Sequence, residues 1–297
     1  MNQQLTEAIN QLQPLSNNDA LKAARLELEN KINQTVQTDG MTQQSVDAYQ
    51  NAKREAQNES NTALALINNG DATEQQITTE KDRVNQQTTN LTQAINGLTV
   101  NKEPLETAKT ALQNNIDQVP STDGMTQQSV ANYNQKLQIA KNEINTINNV
   151  LANNPDVNAI KTNKAEAERI SNDLTQAKNN LQVDTQPLEK IKRQLQDEID
   201  QGTNTDGMTQ DSVDNYNDSL SAAIIEKGKV NKLLKRNPTV AQVKESVANA
   251  QQVIQDLQNA RNSLVPDKTQ LQEAKNRLEN SINQQTDTDG MTEDSLN

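Results

Sequence analysis

The apolar residues of this chain fall in stripes rather than blocks. Val130, Tyr133, Leu137, Ala140, Ile144, Ile147 and Leu151 follow one another at alternating spacings of 3 and 4, which draws one narrow apolar seam along a helix. The seam recurs as Val213, Tyr216, Leu220, Ala223, Lys227, Val230 and Leu234, and more weakly as Val46, Tyr49, Lys53, Ala56, Ser60, Ala63 and Ile67. Lys53 and Lys227 interrupt it, and their stems are expected to pack while the ammonium groups reach water. A second stripe precedes each seam: Leu21, Leu28 and Ile32, then Leu105, Leu112 and Ile116, then Leu188, Leu195 and Ile199, then Leu271, Leu278 and Ile282. A third follows it: Leu91, Ala94 and Leu98, then Leu174, Ala177 and Leu181, then Leu257, Ala260 and Leu264. The pattern predicts three helices, repeated.

A fixed word marks the period. Thr-Asp-Gly-Met-Thr begins at Thr38, Thr122, Thr205 and Thr288, at intervals of 84, 83 and 83 residues, so the chain is an array of one small unit. Asp39-Gly40 is a turn dipeptide, with Gly free to take positive φ. Thr42 is the expected N-cap of the second helix. Met41 then stands at N′ and Val46 at N4, the positions of a hydrophobic staple, and Met125 with Val130, Met208 with Val213 and Met291 with Leu296 repeat the pair. Asp211, Glu293 and Asp294 suit the positive end of a helix. The third helix is expected to start near Asp71-Ala72-Thr73, Asn154-Pro155 and Asn237-Pro238, with Asn as cap and Pro at N1, and to run to about Leu98, Leu181 and Leu264. Pro104 and Pro187 fall near N1 of the next first helix.

No one of these helices can bury its stripe alone, but three running up, down and up enclose a core. The fold class expected is all-α: tandem three-helix bundles joined end to end into an elongated, monomeric rod. The first residues resemble the segment ending at Leu98, so residues 1–14 read as the last helix of a preceding repeat. Repeats of 15–98, 99–181 and 182–264 follow, with 265–297 the first helix and loop of a fourth, and the whole reads as an excerpt of a longer array. An odd helix count makes the chain enter a unit at one end and leave at the other. About 25 residues per helix would make each unit about 35–40 Å long and the excerpt about 110–150 Å. Many seam positions are Ala, Ser or Thr, so the cores should be thin, with caps and neighbouring copies contributing stability.

Composition narrows the partners. A net charge of −12 and a pI of about 4.6 leave no basic stripe for nucleic acid or for an anionic membrane surface. No apolar run approaches the roughly 20 residues of a membrane span, so this segment is not expected to insert. Leu, Ile, Val and Phe make up 59 of 297 residues and the mean hydropathy is −0.94, which puts disorder in view. Against it, Gly228 alone of the eight Gly lies inside an apolar-periodic segment, and the seven Pro stand near segment ends.

Chemistry is sparse. The chain has no His and no Cys, the most versatile base and nucleophile, and its carboxylates spread along hydrated faces. Asn204, Asp206 and Gly207 mimic the third, fifth and sixth positions of an EF-hand loop, but Gly202 and Val213 stand where Asp and Glu are required, and Gln285 and Leu296 fail in the same way. Tyr49, Tyr133 and Tyr216, the only aromatic residues, could form a repeated carbohydrate platform, yet their seam positions mark them as core with the hydroxyl at the edge. No catalytic, cofactor-binding or metal-binding residue is assigned, no cofactor is expected, and an enzyme is not.

Thr42 to Ser45, Asp71-Ala72-Thr73 and Leu91 to Leu98 together resemble the FIVAR repeat, and the resemblance runs over essentially the whole chain. It implies a helical string on the surface of a bacterium, associated with the cell wall, with attachment to a host matrix protein such as fibronectin and a part in envelope integrity; sugar binding, as to cell-wall polysaccharide, is a further implication. FIVAR repeats often carry an aromatic after the Ser of Thr-x-x-Ser, whereas Val46, Val130, Val213 and Leu296 stand there in this chain. Two roles stay open: a spacer that sets distance from the wall, or weak binding modules that add avidity.

Overall fold

The computed structural model describes residues 18–284 and 289. Residues 1–14, and Gln285, Met291, Glu293, Asp294 and Leu296, named above as a helix remnant, a loop position, a staple and a first turn, lie outside the described residues. Ten helices run along the rest. α1 (Asp19–Ile32), α2 (Gln43–Ile67) and α3 (Glu74–Asn96) belong to the first copy, and α4 (Glu103–Asp117), α5 (Gln127–Ala152) and α6 (Val157–Asn179) to the second. α7 (Gln186–Gln201), α8 (Gln210–Leu234) and α9 (Val240–Asn262) belong to the third, and α10 (Thr269–Asn283) opens the fourth. Among the described residues there is no extended strand, only three isolated antiparallel bridges.

The described chain forms two compact units, one of the residues up to Val119 with Asn134–Gln176, the other of Pro120–Tyr133 with the residues from Ala177 on. In the first unit α1, α2 and α3 all pack on one another around Leu21, Leu28, Tyr49, Ala56, Val84 and Leu91. In the second, α7, α8 and α9 do the same around Leu188, Leu195, Tyr216, Ala223, Val230 and Leu257. The helices of the second copy are pinned by polar links inside the first unit. Lys102 Nζ donates to the Leu151 carbonyl at 2.8 Å, Asn115 Nδ2 to the Ser171 carbonyl at 2.8 Å, and Lys136 Nζ to Asp173 Oδ2 at 3.0 Å. The first link has a counterpart in the first copy, where Asn18 Nδ2 donates to the Ile67 carbonyl at 3.0 Å. A residue at the start of the first helix thus satisfies an end carbonyl of the second.

The seam is real and has a centre. Tyr133, Ala140 and Ile147, seven residues apart, are buried, whereas Val130, Leu137, Ile144 and Leu151 are half-buried on one flank. The other flank holds a buried carboxylate among apolar neighbours: Glu143 in the second copy and Glu226 in the third. All three Tyr are core, Tyr49 at 7%, Tyr133 at 2% and Tyr216 at 4% exposure. The Tyr133 hydroxyl does not reach the edge as expected; it is enclosed with no hydrogen-bond partner among the described residues, and burial raises its pKa above the usual phenol value. Lys227 reaches Gln196 Oε1 on α7 rather than only water, and Lys53 Nζ lies 6.0 Å from the Tyr49 ring centroid.

Two other expectations are corrected. The first helices have 14, 15, 16 and 15 residues, not about 25, while the second helices have 25, 26 and 25 and the third have 23. The first stripe covers little more than three turns, and after it the chain runs non-helically back to the turn, with Val36 packing on the core from that stretch. The third helices end at Asn96, Asn179 and Asn262, within two residues of Leu98, Leu181 and Leu264 as expected. The first copy's third helix starts where expected, after Thr73, but the caps of the other two are shifted. Asp156 Oδ1 accepts from Ala159 N at 2.7 Å, Thr73 and Thr239 form capping boxes with Gln76 and Gln242, and neither Asn154 nor Asn237 caps. Asn154 instead takes φ of +43°, a left-handed conformation that Asn tolerates. Pro155 and Pro238 stand at N′, not N1, and are buried like Ala72. With Ile160, Val243 and Ile77 buried at N4, they occupy the positions of a hydrophobic staple that was expected only at the second helix.

Candidate functional site

Among the described residues, the Thr-Asp-Gly-Met-Thr segments join a turn, a bridge and a helix start in one place. Gly40, Gly124 and Gly207 hold φ of +83°, +72° and +73°, so each turn needs the residue that carries no Cβ. The next residue, Met41, Met125 or Met208, forms an antiparallel bridge with Val100, Val183 or Pro266, in the linker that leaves the third helix. Thr42 N donates to the Thr99 carbonyl at 2.7 Å and Asn101 N to the Gly40 carbonyl at 2.9 Å. The same pair recurs as Thr126 N to Gln182 O with Asp184 N to Gly124 O, and as Thr209 N to Val265 O with Asp267 N to Gly207 O. Because the neighbours of the bridged residue make both bonds, Pro266 loses none by lacking an N–H.

Thr-x-x-Ser closes the same joint. Ser45 Oγ donates to the Thr42 carbonyl at 2.9 Å and accepts from Thr42 Oγ1 at 3.0 Å and from Thr99 N at 3.1 Å. One hydroxyl thereby spends its single proton and both lone pairs. Ser129 and Ser212 accept from Gln182 N and Val265 N, each at 3.2 Å, in the same way. The Thr caps are real at Thr42 and Thr126, whose Oγ1 accepts from Ser45 N and Ser129 N at 3.4 Å. Thr209 makes no such side-chain cap and bonds Ser212 Oγ instead.

The outer side of the turn meets the following copy. In the first unit a Cβ on Gly40 would lie 2.4 Å from Val157 Cγ1, and Asp39 Oδ2 accepts from Lys161 Nζ at 2.7 Å. In the second unit a Cβ on Gly124 would lie 2.5 Å from Val240 Cγ1, and Asp123 accepts from Lys244, again at 2.7 Å. The lysines hold both carboxyls below the usual carboxylate range, first through the hydrogen bond. Beside this contact in the second unit, Gly124, Pro187, Val240, Val243 and Val247 line an apolar groove of about 260 Å³.

The other candidates offer less. Asn204 Oδ1 accepts from Asp206 N at 2.9 Å, so the EF-hand mimic is occupied with its own turn, and Val213 is half-buried at the place of the bidentate Glu. Among the described residues no three His, Cys, Asp or Glu gather to hold a metal. The buried Tyr rings present no open face. No helix of the described residues is long and apolar enough to cross a membrane.

Three-helix bundles in tandem, each tied shut by a bridge from its turn to its exit linker, define a helical repeat protein. The FIVAR domain matches residues 24–92, 108–182 and 191–258, and the chain belongs to that family. It is 52% identical over 297 residues, its full length, to extracellular matrix-binding protein EbhB of Staphylococcus aureus (strain Newman) and to extracellular matrix-binding protein ebh of strain NCTC 8325 / PS 47. It spans only 4% and 3% of those two relatives, and 8% of EbhB of strain N315, to which it is also 52% identical. No solved structure matches the chain.

Proposed function

We propose that this chain is a repeat segment of a bacterial surface protein and works as an elongated stalk, supporting adhesion of the cell wall to host extracellular matrix and the integrity of the envelope. The observation that carries this reading is the joint: at two successive junctions the same turn engages the start of the next copy's third helix. A spacer needs regular mechanical continuity, and a joint repeated with the same residues supports it. The names of the relatives favour a place outside the cell, in the cell wall, with matrix as the eventual partner. The repeats themselves work as monomeric links without cofactor. A second reading is favoured by the groove at Pro187, Val240 and Val247, which is apolar and open: each copy would bind a matrix protein such as fibronectin, or cell-wall polysaccharide, weakly and by avidity.

The test is titration of the monomeric chain onto immobilised fibronectin and onto purified cell wall, into the high micromolar range at two salt concentrations. Absence of saturable binding on both is expected of a stalk. Saturable binding on either surface that Val247→Glu abolishes would replace the stalk by the module.

A further inference from the structure

The two closed joints differ from the receiving surface of the first copy, and the difference lies in two residues. The side that gives is Asp-Gly. The side that receives is the first turn of the following third helix: Val157 and Lys161 on α6, Val240 and Lys244 on α9. These are N1 and N5, four residues apart on one helix face. The γ-methyls of Val sit where a Cβ on Gly would go, and the Lys reaches back to the Asp of the same turn. At the third turn no described residue lies within 4 Å of a Cβ on Gly207, and that turn holds its positive φ and its bridge without the contact.

On α3 the two positions are Glu74 and Thr78, both exposed. Glu74 has no branched methyl group to lay over a glycine, and it brings a carboxylate toward an Asp. Thr78 has no ammonium to neutralise either. The ion pair itself is too exposed to contribute much, with Lys161 at 60% and Asp39 at 70%, so its part is to select the register in which Val covers Gly. Replacing Lys by Thr and Val by Glu removes both attraction and shape, and adds like-charge repulsion.

We propose that the Asp-Gly turn and a Val-x-x-x-Lys first turn form a copy-to-copy latch, and that a copy bearing Glu-x-x-x-Thr at those positions, as α3 does, leaves its joint unlatched. Two residues per copy would then write the mechanics of an array, stiff where the pair is Val and Lys and hinged where it is Glu and Thr. This goes beyond the stalk reading and stands whether or not the copies bind ligand.

The chain has no Cys, so introduced pairs label cleanly. Gln57→Cys on α2 and Ala165→Cys on α6, both at exposed positions of the first unit, take spin labels for a pulsed dipolar distance measurement on the full chain. One narrow distance is expected, and a distribution at least twice as wide once Val157→Glu and Lys161→Thr are added. Because α3 forms with Glu74 and Thr78 in place, the double variant is expected to keep its far-UV circular dichroism. A second, independent reading comes from the charge swap: Asp39→Lys broadens the distance and Asp39→Lys with Lys161→Asp narrows it again. A broad distribution in the parent, or one that stays as narrow in the Val157→Glu/Lys161→Thr variant, overturns the latch.

Discussion

Glycine in the Asp-Gly turn answers two demands that can be separated because one copy feels only the first. Positive φ is held at all three described turns, whereas among the described residues a Val side chain lies close to Gly40 and Gly124 but not to Gly207. Gly207→Ala should therefore cost only the left-handed conformation, about 1 kcal/mol. Gly124→Ala adds a collision at 2.5 Å with Val240 Cγ1 and should cost about 2–3 kcal/mol in all. Urea unfolding of the full chain measures both, and Val240→Ala should recover part of the excess at Gly124 and nothing at Gly207. Buried carboxylates pose a different residue-level question. Glu80 is 4% exposed, its Oε1 meets no hydrogen-bond donor among the described residues and faces the Glu59 carboxyl, and Arg83 lies 3.6 Å from Oε2. Its pKa is raised, first by burial and then by Glu59, and only partly offset by Arg83. A raised carboxyl adds stability below its unfolded pKa and loses it as the pH rises through the folded value. Glu80→Gln should therefore stabilise the first bundle by about 1 kcal/mol at pH 7, with the gain vanishing near pH 4, as read from hydrogen exchange of α2 and α3.

Among elements, legibility depended on whether a contact is made by side chains or by backbone. The seam on α5 and the short stripes on α1, α4 and α7 were written in apolar spacing, and so was the turn Gly. The bridge from Met41 to Val100 was not, because its bonds run between backbone groups of Gly40, Thr42, Thr99 and Asn101, and one of the bridged residues can even be Pro. The role of Ser45 was hidden for a related reason: Thr-x-x-Ser reads as a cap, and its second partner, the amide of Thr99, is far off in sequence. The staple at Pro155 and Ile160 was missed because Asn-Pro suggests a cap followed by N1, whereas the cap is one residue beyond the Pro. Ser129→Ala tests the clip: it removes the acceptor of Gln182 N and the donor to Thr126 O, and should cost about 1 kcal/mol. Faster exchange at residues 182–184, with the helices α5 and α6 unaltered, is the expected signature. α10 supplies a contrast within one stripe. Leu271, Leu278 and Ile282 are 70%, 62% and 72% exposed, while Leu188 and Leu195 of α7 are fully buried. A 15-residue helix that packs on none of the described residues is marginal, so in this 297-residue chain the amides of α10 should exchange at least about a hundredfold faster than those of α7.

For the whole molecule the question is whether the proposed stalk would owe its extension to charge or to its joints. A net charge of −12 repels itself, and repulsion alone could spread a chain of loosely linked bundles. The joints suggest another cause: methyl groups over glycine, backbone bonds between turn and linker, and an odd number of helices carrying the chain from one end of each copy to the other. The two causes respond differently to salt. The Debye length is about 10 Å at 0.1 M and about 3 Å at 1 M, so charge repulsion and the exposed Asp–Lys pairs both fade over that range while apolar contact does not. A compact 297-residue globule would have a radius of gyration of about 19 Å, and the proposed stalk about twice that. Small-angle scattering on the monomer should give the larger value at 0.1 M and hold it within about a tenth at 1 M. A globular radius at either salt would end the stalk reading. A large radius that collapses at 1 M would keep the extension but assign it to charge, and the Gly–Val contacts would then have no mechanical part to play.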